Sequence, residues 1–281
     1  MPPTPTARRK RVGIELRKMR EAAGRTSGDA SAVLGVDRSK ITLIEQGTYP
    51  ISAERVIALA EAYEEGDAEY VDAVAAMASD KSKGWWEEHR GLVPAGILDI
   101  SEVEHHARGL ATYQICHVPG LMQTEDTARE IFREVYPPLR PLNIEARVEN
   151  RVRRAEILSR SDPIDYEAIV HEAALRMEFG GTSVARAQLK HMLMLAERPN
   201  ITLRVLEFRS GGFKGAGQAV MYARGPVARL DTVQLDSVGS PAFLTEVNQL
   251  ENYRNIIGAM RERALGPTES CDFISGILKG L

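Results

Sequence analysis

Apolar positions recur at helical spacing through roughly the first 80 residues of the chain and change rhythm beyond about residue 91. Leu16 and Met19 share one face of a helix read over 12–23, with Arg17, Lys18 and Glu21 on its other faces and Gly24 as its stop. Ala30, Val33 and Leu34 form an apolar stripe before Gly35, and Ile41 and Ile44 form another after it. Gly35 falls where two short helices must be joined by a tight turn, a place where left-handed backbone is cheap for glycine. Asp37 suits the N-cap of the second helix, its carboxylate able to accept first-turn N–H groups, and Gly47 suits its end. Ser52 opens a fourth helix carrying Val56, Ile57, Leu59 and Ala60. Glu65-Gly66-Asp67 breaks it, and a fifth over 68–78 carries Tyr70, Val71, Val74 and Met77.

Residues 79–84 are short and polar and read as a linker, followed at once by Trp85 and Trp86, both of the chain's tryptophans. Large aromatics at that place mark a domain junction. The second region mixes periods. Helices are expected over 99–109, 124–135, 143–160, 172–177, 182–196, 246–264 and 268–278. Strands are expected over 111–117, 166–171, 201–206, 218–223, 227–236 and 242–245. In the 143–160 helix Ile144, Val148, Val152, Ala155 and Leu158 form the buried stripe, while Arg147, Arg151, Arg153 and Arg154 read as a solvated face. The fold class is therefore α+β: an all-α domain over 1–78, then a larger mixed α/β domain over 85–281 with a mostly antiparallel sheet.

Charge changes the picture of the first region only. The net charge of the 281 residues is −3, yet Arg8, Arg9, Lys10, Arg11, Arg17, Lys18, Arg20 and Arg25 face only Glu15 and Glu21 across the first 25 positions. A basic arm over 8–11 leading into two turn-linked helices suits phosphate contacts. The helix after Gly35 exposes Arg38, Ser39, Thr42 and Leu43, as a helix does whose N-terminal side chains reach base edges in a major groove. Arg38 is the expected base reader, with Lys40 and Arg25 on the phosphate backbone. There is no apolar run near 20 residues and no secretory leader pattern, so no membrane is expected and the protein is read as cytoplasmic, on the nucleoid when bound to DNA. Two distant cysteines, Cys116 and Cys271, give no disulfide framework.

The spacing of Leu34-Gly35-Val36, Ser39, Ile41 and Ile44-Glu45-x-Gly47 resembles the Cro/repressor type of helix-turn-helix found in Xre-family regulators. That resemblance implies that Arg20 of the first helix pairs with Glu45, a structural clamp. The family's usual Gln after the Thr that opens the first of the two helices is Ser27 here, where a shorter hydroxyl serves a phosphate or cap role. Gly28 and Asp29 make that helix intrinsically poor, by about 1 kcal/mol for the glycine. In the second region Gly84-Trp85-Trp86, the run Val118-Pro119-Gly120-Leu121-Met122-Gln123-Thr124-Glu125-Asp126-Thr127-Ala128-Arg129, then Glu172-Ala173-Ala174-Leu175-Arg176 and Gly180-Gly181, resemble actinobacterial Scr1-type, antitoxin-like regulators. Met122, Thr127, His171 and Asp236 depart from that pattern. The resemblance implies double-stranded DNA as partner, a small co-encoded partner protein, and a role in development or secondary metabolism.

Catalysis finds little support. His105, His106, Cys116 and His117 lack metal-ligand spacing, since adjacent residues on a strand point to opposite faces. The Gly211–Gly217 run lacks a Gly-Lys-Ser/Thr ending and leads toward a strand, and carboxylates such as Glu102 and Glu104 read as helix-surface charge. No catalytic residue, metal or cofactor is expected. The leading reading is a homodimeric transcriptional regulator whose second domain senses a partner protein or ligand. The alternatives are an antitoxin-like interaction module with autoregulatory DNA binding, and an enzyme relic that binds a small molecule.

Overall fold

A computed structural model describes residues 5–80, 82–237 and 240–281. Met1–Thr4, ahead of the expected arm, and Lys81 in the expected linker lie outside the described residues. The chain divides into two compact units, Met1–Trp85 and Trp86–Leu281.

The first unit holds α1 (Ala7–Ala22), α2 (Ser27–Leu34), α3 (Arg38–Glu45), α4 (Ala53–Ala62) and α5 (Ala68–Ser79). The residues expected to form a free basic arm are instead the opening of α1. Thr6 caps it, accepting from the Arg9 N–H, and the side chains of Arg8 and Arg11 find acceptors in the unit's own body. Arg8 donates to the Met77 carbonyl at 3.3 Å and lies 3.4 Å from Asp80, while Arg11 pairs with Glu15 at 2.7 Å. Glu15 is itself buried and also accepts from the Tyr70 hydroxyl at 2.6 Å and from Lys18 at 3.2 Å, so one carboxylate ties α1 to α5.

The seam between α1 and α3 is closer than side chains allow. A Cβ on Gly13 would stand 2.4 Å from the Glu45 carbonyl oxygen, and one on Gly47 would stand 2.7 Å from the Lys10 nitrogen. Gly47 also has a φ of 72°, so both demands fall on the same residue. Beside this contact Arg20 grips Glu45 through two parallel hydrogen bonds of 2.6 and 2.9 Å, and its Nη1 donates to the Arg25 carbonyl. The two side chains are only 13% and 12% exposed, which makes this an enclosed pair and not a surface one. Burial, with the Glu45 charge beside it, pushes the Tyr63 hydroxyl up to about 12.

The second unit runs α6 (Ala95–His106), β1 (Gly109–Gln114), α7 (Glu125–Arg133), α8 (Pro141–Ala155), β2 (Asp165–His171), α9 (Glu172–Arg176), α10 (Thr182–Ala196), β3 (Ile201–Leu206), β4 (Val220–Arg224), β5 (Thr232–Leu235), β6 (Ala242–Leu244), α11 (Val247–Arg263) and α12 (Pro267–Gly280). The six strands lie in the order β3-β2-β1-β4-β5-β6. β1, β2 and β3 are mutually parallel, and the three remaining pairings are antiparallel, so the sheet is mixed and mostly antiparallel. Both faces are covered. Leu110, Tyr166, Ala168, Val170, Leu203 and Val205 join the larger core with residues of α10 and α12, while Tyr113, Ile169, Tyr222 and Val233 pack with Leu250, Ile257 and Met260 of α11. The outer edge of β3 is closed where Leu265 N–H donates to the Val205 carbonyl and Ser270 Oγ accepts from Val205 N–H.

Three expectations need correction. The strand expected over 227–236 begins only at Thr232. The Asp231 carboxylate accepts from the Gly225 N–H at 2.9 Å and the Tyr222 hydroxyl at 2.6 Å, which folds 228–230 into a 3-10 turn. The α8 stripe fails at Val152, which is 42% exposed: Ile144 and Val148 pack with Ala128 and Phe132 of α7, while the row buried beside them is Ala146, Asn150 and Arg154. The arginine face is not solvated as a whole either. Arg154 is buried and bonded to Glu104 of α6 at 2.6 and 2.7 Å, so Glu104 is no surface charge.

Arg20→Ala leaves Glu45 enclosed without its partner, and should cost the first unit about 3 kcal/mol. Gly13→Ala should cost about 1–3 kcal/mol, because the obstructing atoms are backbone. Hydrogen exchange reads both as lost protection in α1 and α3; wild-type protection in either variant would show its contact to be dispensable.

Candidate nucleic-acid interface

The turn between α2 and α3 is built as the sequence requires. Gly35 adopts left-handed backbone, φ 61° and ψ 41°, and its N–H donates to the Ser31 carbonyl. Val36 N–H donates to the same carbonyl at 3.1 Å, and Ser31 Oγ donates to the Val36 carbonyl. Ala30, Ile41 and Ile44 are buried, as two helices sharing one small core must arrange them. Val33 breaks the expected stripe at 43% exposure. With Ala30 and Leu34 turned inward one helical turn apart, the residue just before Leu34 is rotated by about 100° out of the core.

Capping differs from expectation at both helices. Asp37 occupies the N-cap position of α3 but its carboxylate makes no cap hydrogen bond, and neither does the Ser52 hydroxyl at α4. At α2 the cap is Thr26, whose hydroxyl accepts from Asp29 N–H at 3.2 Å while the Asp29 carboxylate accepts from Thr26 N–H at 2.7 Å. Asp29 therefore strengthens the helix it was expected to weaken. The Thr26 N–H and the Thr26 hydroxyl, which donates to the same carboxylate at 2.8 Å, hold that carboxyl below the usual range, with the charges of Arg25 and Arg38 adding. Ser27, read as a phosphate or cap hydroxyl, is half-buried at the first helical position and does not cap.

On α3 the side chains of Arg38, Ser39, Thr42 and Leu43 are exposed, and so is Gln46 just beyond them. Gln46 follows Thr42 by one helical turn, so the same periodicity would have included it. Lys40 is half-buried with its Nζ 4.3 Å from the centre of the Tyr49 ring, and this ammonium holds the Tyr49 hydroxyl below its ordinary value. Arg25 is exposed, 3.7 Å from a carboxylate oxygen of Glu64. Arg38 does not extend freely: a Cβ on Gly28 would stand 2.9 Å from its Nη2 and 3.1 Å from its Nε. The missing side chain at Gly28 is what lets the guanidinium rest across the start of α2.

The other sequence candidates are dispersed. The division between the two units falls between Trp85 and Trp86. Trp86 is buried and meets His105 at a tilt and His106 edge-on, ring centres 5.0 and 5.9 Å away, while His117 packs on Phe179 at 5.2 Å. Among the described residues no group of three metal-ligating side chains gathers, and no helix is long and apolar enough to cross a membrane.

Gly28→Ala is expected to leave the first unit at least as stable as the wild type. The flexible end of Arg38 can move aside, and alanine within a helix gains up to about 1 kcal/mol over glycine. A lowered denaturation midpoint would show the Arg38 seat to be rigid.

Family comparison follows the division of the chain. Residues 11–72 match a model described as a helix-turn-helix domain, and residues 97–276 match one described as a domain of unknown function, DUF5753. No curated protein and no solved structure matches the chain. A helix-turn-helix of this build suggests a DNA-binding regulator, and with more than half of its length matched by that second model the chain belongs to the DUF5753 family.

Proposed function

We propose that this protein is a sequence-specific transcriptional regulator that binds double-stranded DNA as a homodimer, and that its second unit receives a small partner protein or ligand and performs no catalysis. The observation that carries the reading is the outer face of α3, where Arg38, Ser39, Thr42 and Leu43 stand exposed beyond a buried Ile41–Ile44 stripe. Such a helix enters a major groove with its first turn at the base edges. One helix of this length reads only a few base pairs, so two copies on a near-palindromic site, about 34–36 Å apart, supply the remaining specificity. Coupling to the second unit requires that its ligand bind DNA-competent and incompetent states unequally, typically by about 1–3 kcal/mol.

A second reading, antitoxin-like protein interaction with DNA binding kept for autoregulation, is favoured by the α2 cap. The Asp29 carboxylate occupies the helix N-terminus where a DNA phosphate would otherwise be attracted. Co-purification of the small co-encoded protein, with operator affinity unchanged by it, would favour that reading.

Binding to the DNA upstream of the protein's own gene, titrated against salt, tests the leading one. Arg38→Ala should relax specificity at one operator position and cost about 1–3 kcal/mol. Lys40→Ala should weaken all sequences alike and reduce the salt slope by about 1. Equal binding by wild type and both variants would remove the assignment, and a one-to-one complex of monomer with operator would remove the dimer.

A further inference from the structure

Among the described residues, helix α8 carries two guanidiniums that form no ion pair. Arg147 and Arg151 stand one helical turn apart and so share a face, and both lie over the Phe132 ring of α7, with Cζ 6.0 and 5.1 Å from its centre. Among the described residues Arg147 has no hydrogen bond and no ion pair, and its Nε is enclosed without a partner. Arg151 donates through Nη1 to Oε1 of Gln123 at 2.6 Å, a neutral acceptor, and its Nε is likewise enclosed and unpartnered. Gln123 is fixed in that orientation, since its Nε2 donates to the Val118 carbonyl at 2.8 Å. Gly120 leaves the room: a Cβ there would stand 3.0 Å from Arg151 Nη1.

The more deeply enclosed Arg11, Arg20 and Arg154 each have a carboxylate, Glu15, Glu45 and Glu104. Both residues are half-buried with the Nε enclosed; enclosing part of a guanidinium without such a partner is unfavourable, and a fold that does so twice on one helical face keeps the charge for something that arrives later. The electrostatics agree. Burial holds both guanidiniums below their ordinary values, for Arg151 with Arg154 adding and Glu104 and Asp236 opposing. His117 is lowered by burial and by the Arg151 charge, against Asp236. Asp236 is exposed and forms no ion pair with either group among the described residues.

We propose that Arg147 and Arg151 form a binding site for the phosphate monoester group of a small metabolite. One guanidinium fork satisfies a carboxylate; two guanidiniums match the two charges and three terminal oxygens of a phosphate monoester. Gln123 and Gly120 are positioning residues, holding Arg151 in place. The site gives the effector unit a ligand class, and it rests on the regulatory reading only for its consequence at DNA.

The test is calorimetric titration of the full chain with inorganic phosphate and with acetate, at fixed ionic strength against chloride. Phosphate should bind and acetate should bind at least about tenfold more weakly; Arg147→Gln and Arg151→Gln should each weaken phosphate by about tenfold or more, and Arg38→Ala should not. In the wild type, phosphate should also move the His117 titration upward in a proton NMR series, a readout that survives if an arginine variant fails to fold. Absence of phosphate binding above chloride, binding retained in both arginine variants, a stationary His117, or acetate binding as tightly would each overturn the site. A phosphoserine peptide that binds through contacts beyond its phosphate, much tighter than phosphate itself, would overturn the metabolite in favour of a protein partner. Phosphate binding that leaves operator affinity unchanged defeats the regulatory coupling alone and leaves the site standing.

Discussion

Helix α1 meets the carboxyl end of α3 backbone to backbone, and the orientation of the exposed face depends on that contact. Gly13 and Gly47 remove the side chains that would hold the helices apart, and the Arg20–Glu45 fork closes the seam a turn or two further on. With Ile41 and Ile44 pressed inward by this arrangement, Arg38, Ser39, Thr42 and Leu43 have no direction left but outward. The clamp also explains why α3 manages without a side-chain cap. A helix of eight residues is marginal alone, and here tertiary packing supplies what the Asp37 carboxylate does not.

In the second unit, α8 is used twice over. Asn150 and Arg154, one turn apart, point into the protein and are satisfied there, Asn150 by Ser101 and Arg154 by Glu104, both on α6. Arg147 and Arg151, rotated by about 60° from that row, meet an aromatic ring and a neutral amide instead. The same residue type thus serves on one row as an internal fastening and on the next as an unneutralised charge.

Much of this was legible in the sequence, and the failures have identifiable causes. Helix-turn-helix spacing, the β2 and β3 strands and the mixed α/β class follow from periodicity and turn residues, which act locally. Arg8 and Arg11 read as a free arm because a run of like charge resembles a solvated segment; their acceptors, Met77, Asp80 and Glu15, become visible only when the helix forms and α5 returns to it. Arg154 was misread for the same reason, since its partner Glu104 is 50 residues away. Gly28 and Asp29 looked like a weak helix by propensity alone, whereas the Thr26 cap and the Arg38 seat turn both to use. The α1–α3 contact at Gly13 had no sequence signal, because nothing about a glycine inside a helix says what will be pressed against it.

The order of the strands bears on how the two units come into being. The first unit is closed by short helices packed mostly on near neighbours in sequence, with α1 also meeting α5 through Glu15 and Tyr70. β4, β5 and β6 likewise pair in succession, but β1 must find β2 across 56 residues, Gly109 opposite Asp165, before the meander has a central strand to join. Chain-closure entropy makes such pairings slow, and low contact order makes helical units fast. On a ribosome, where N-terminal units emerge first, the helix-turn-helix is complete while β1 still waits for its parallel neighbour. A nascent chain therefore completes its helix-turn-helix before its second unit is closed, and the finished chain waits on the pace of the parallel strand pairings.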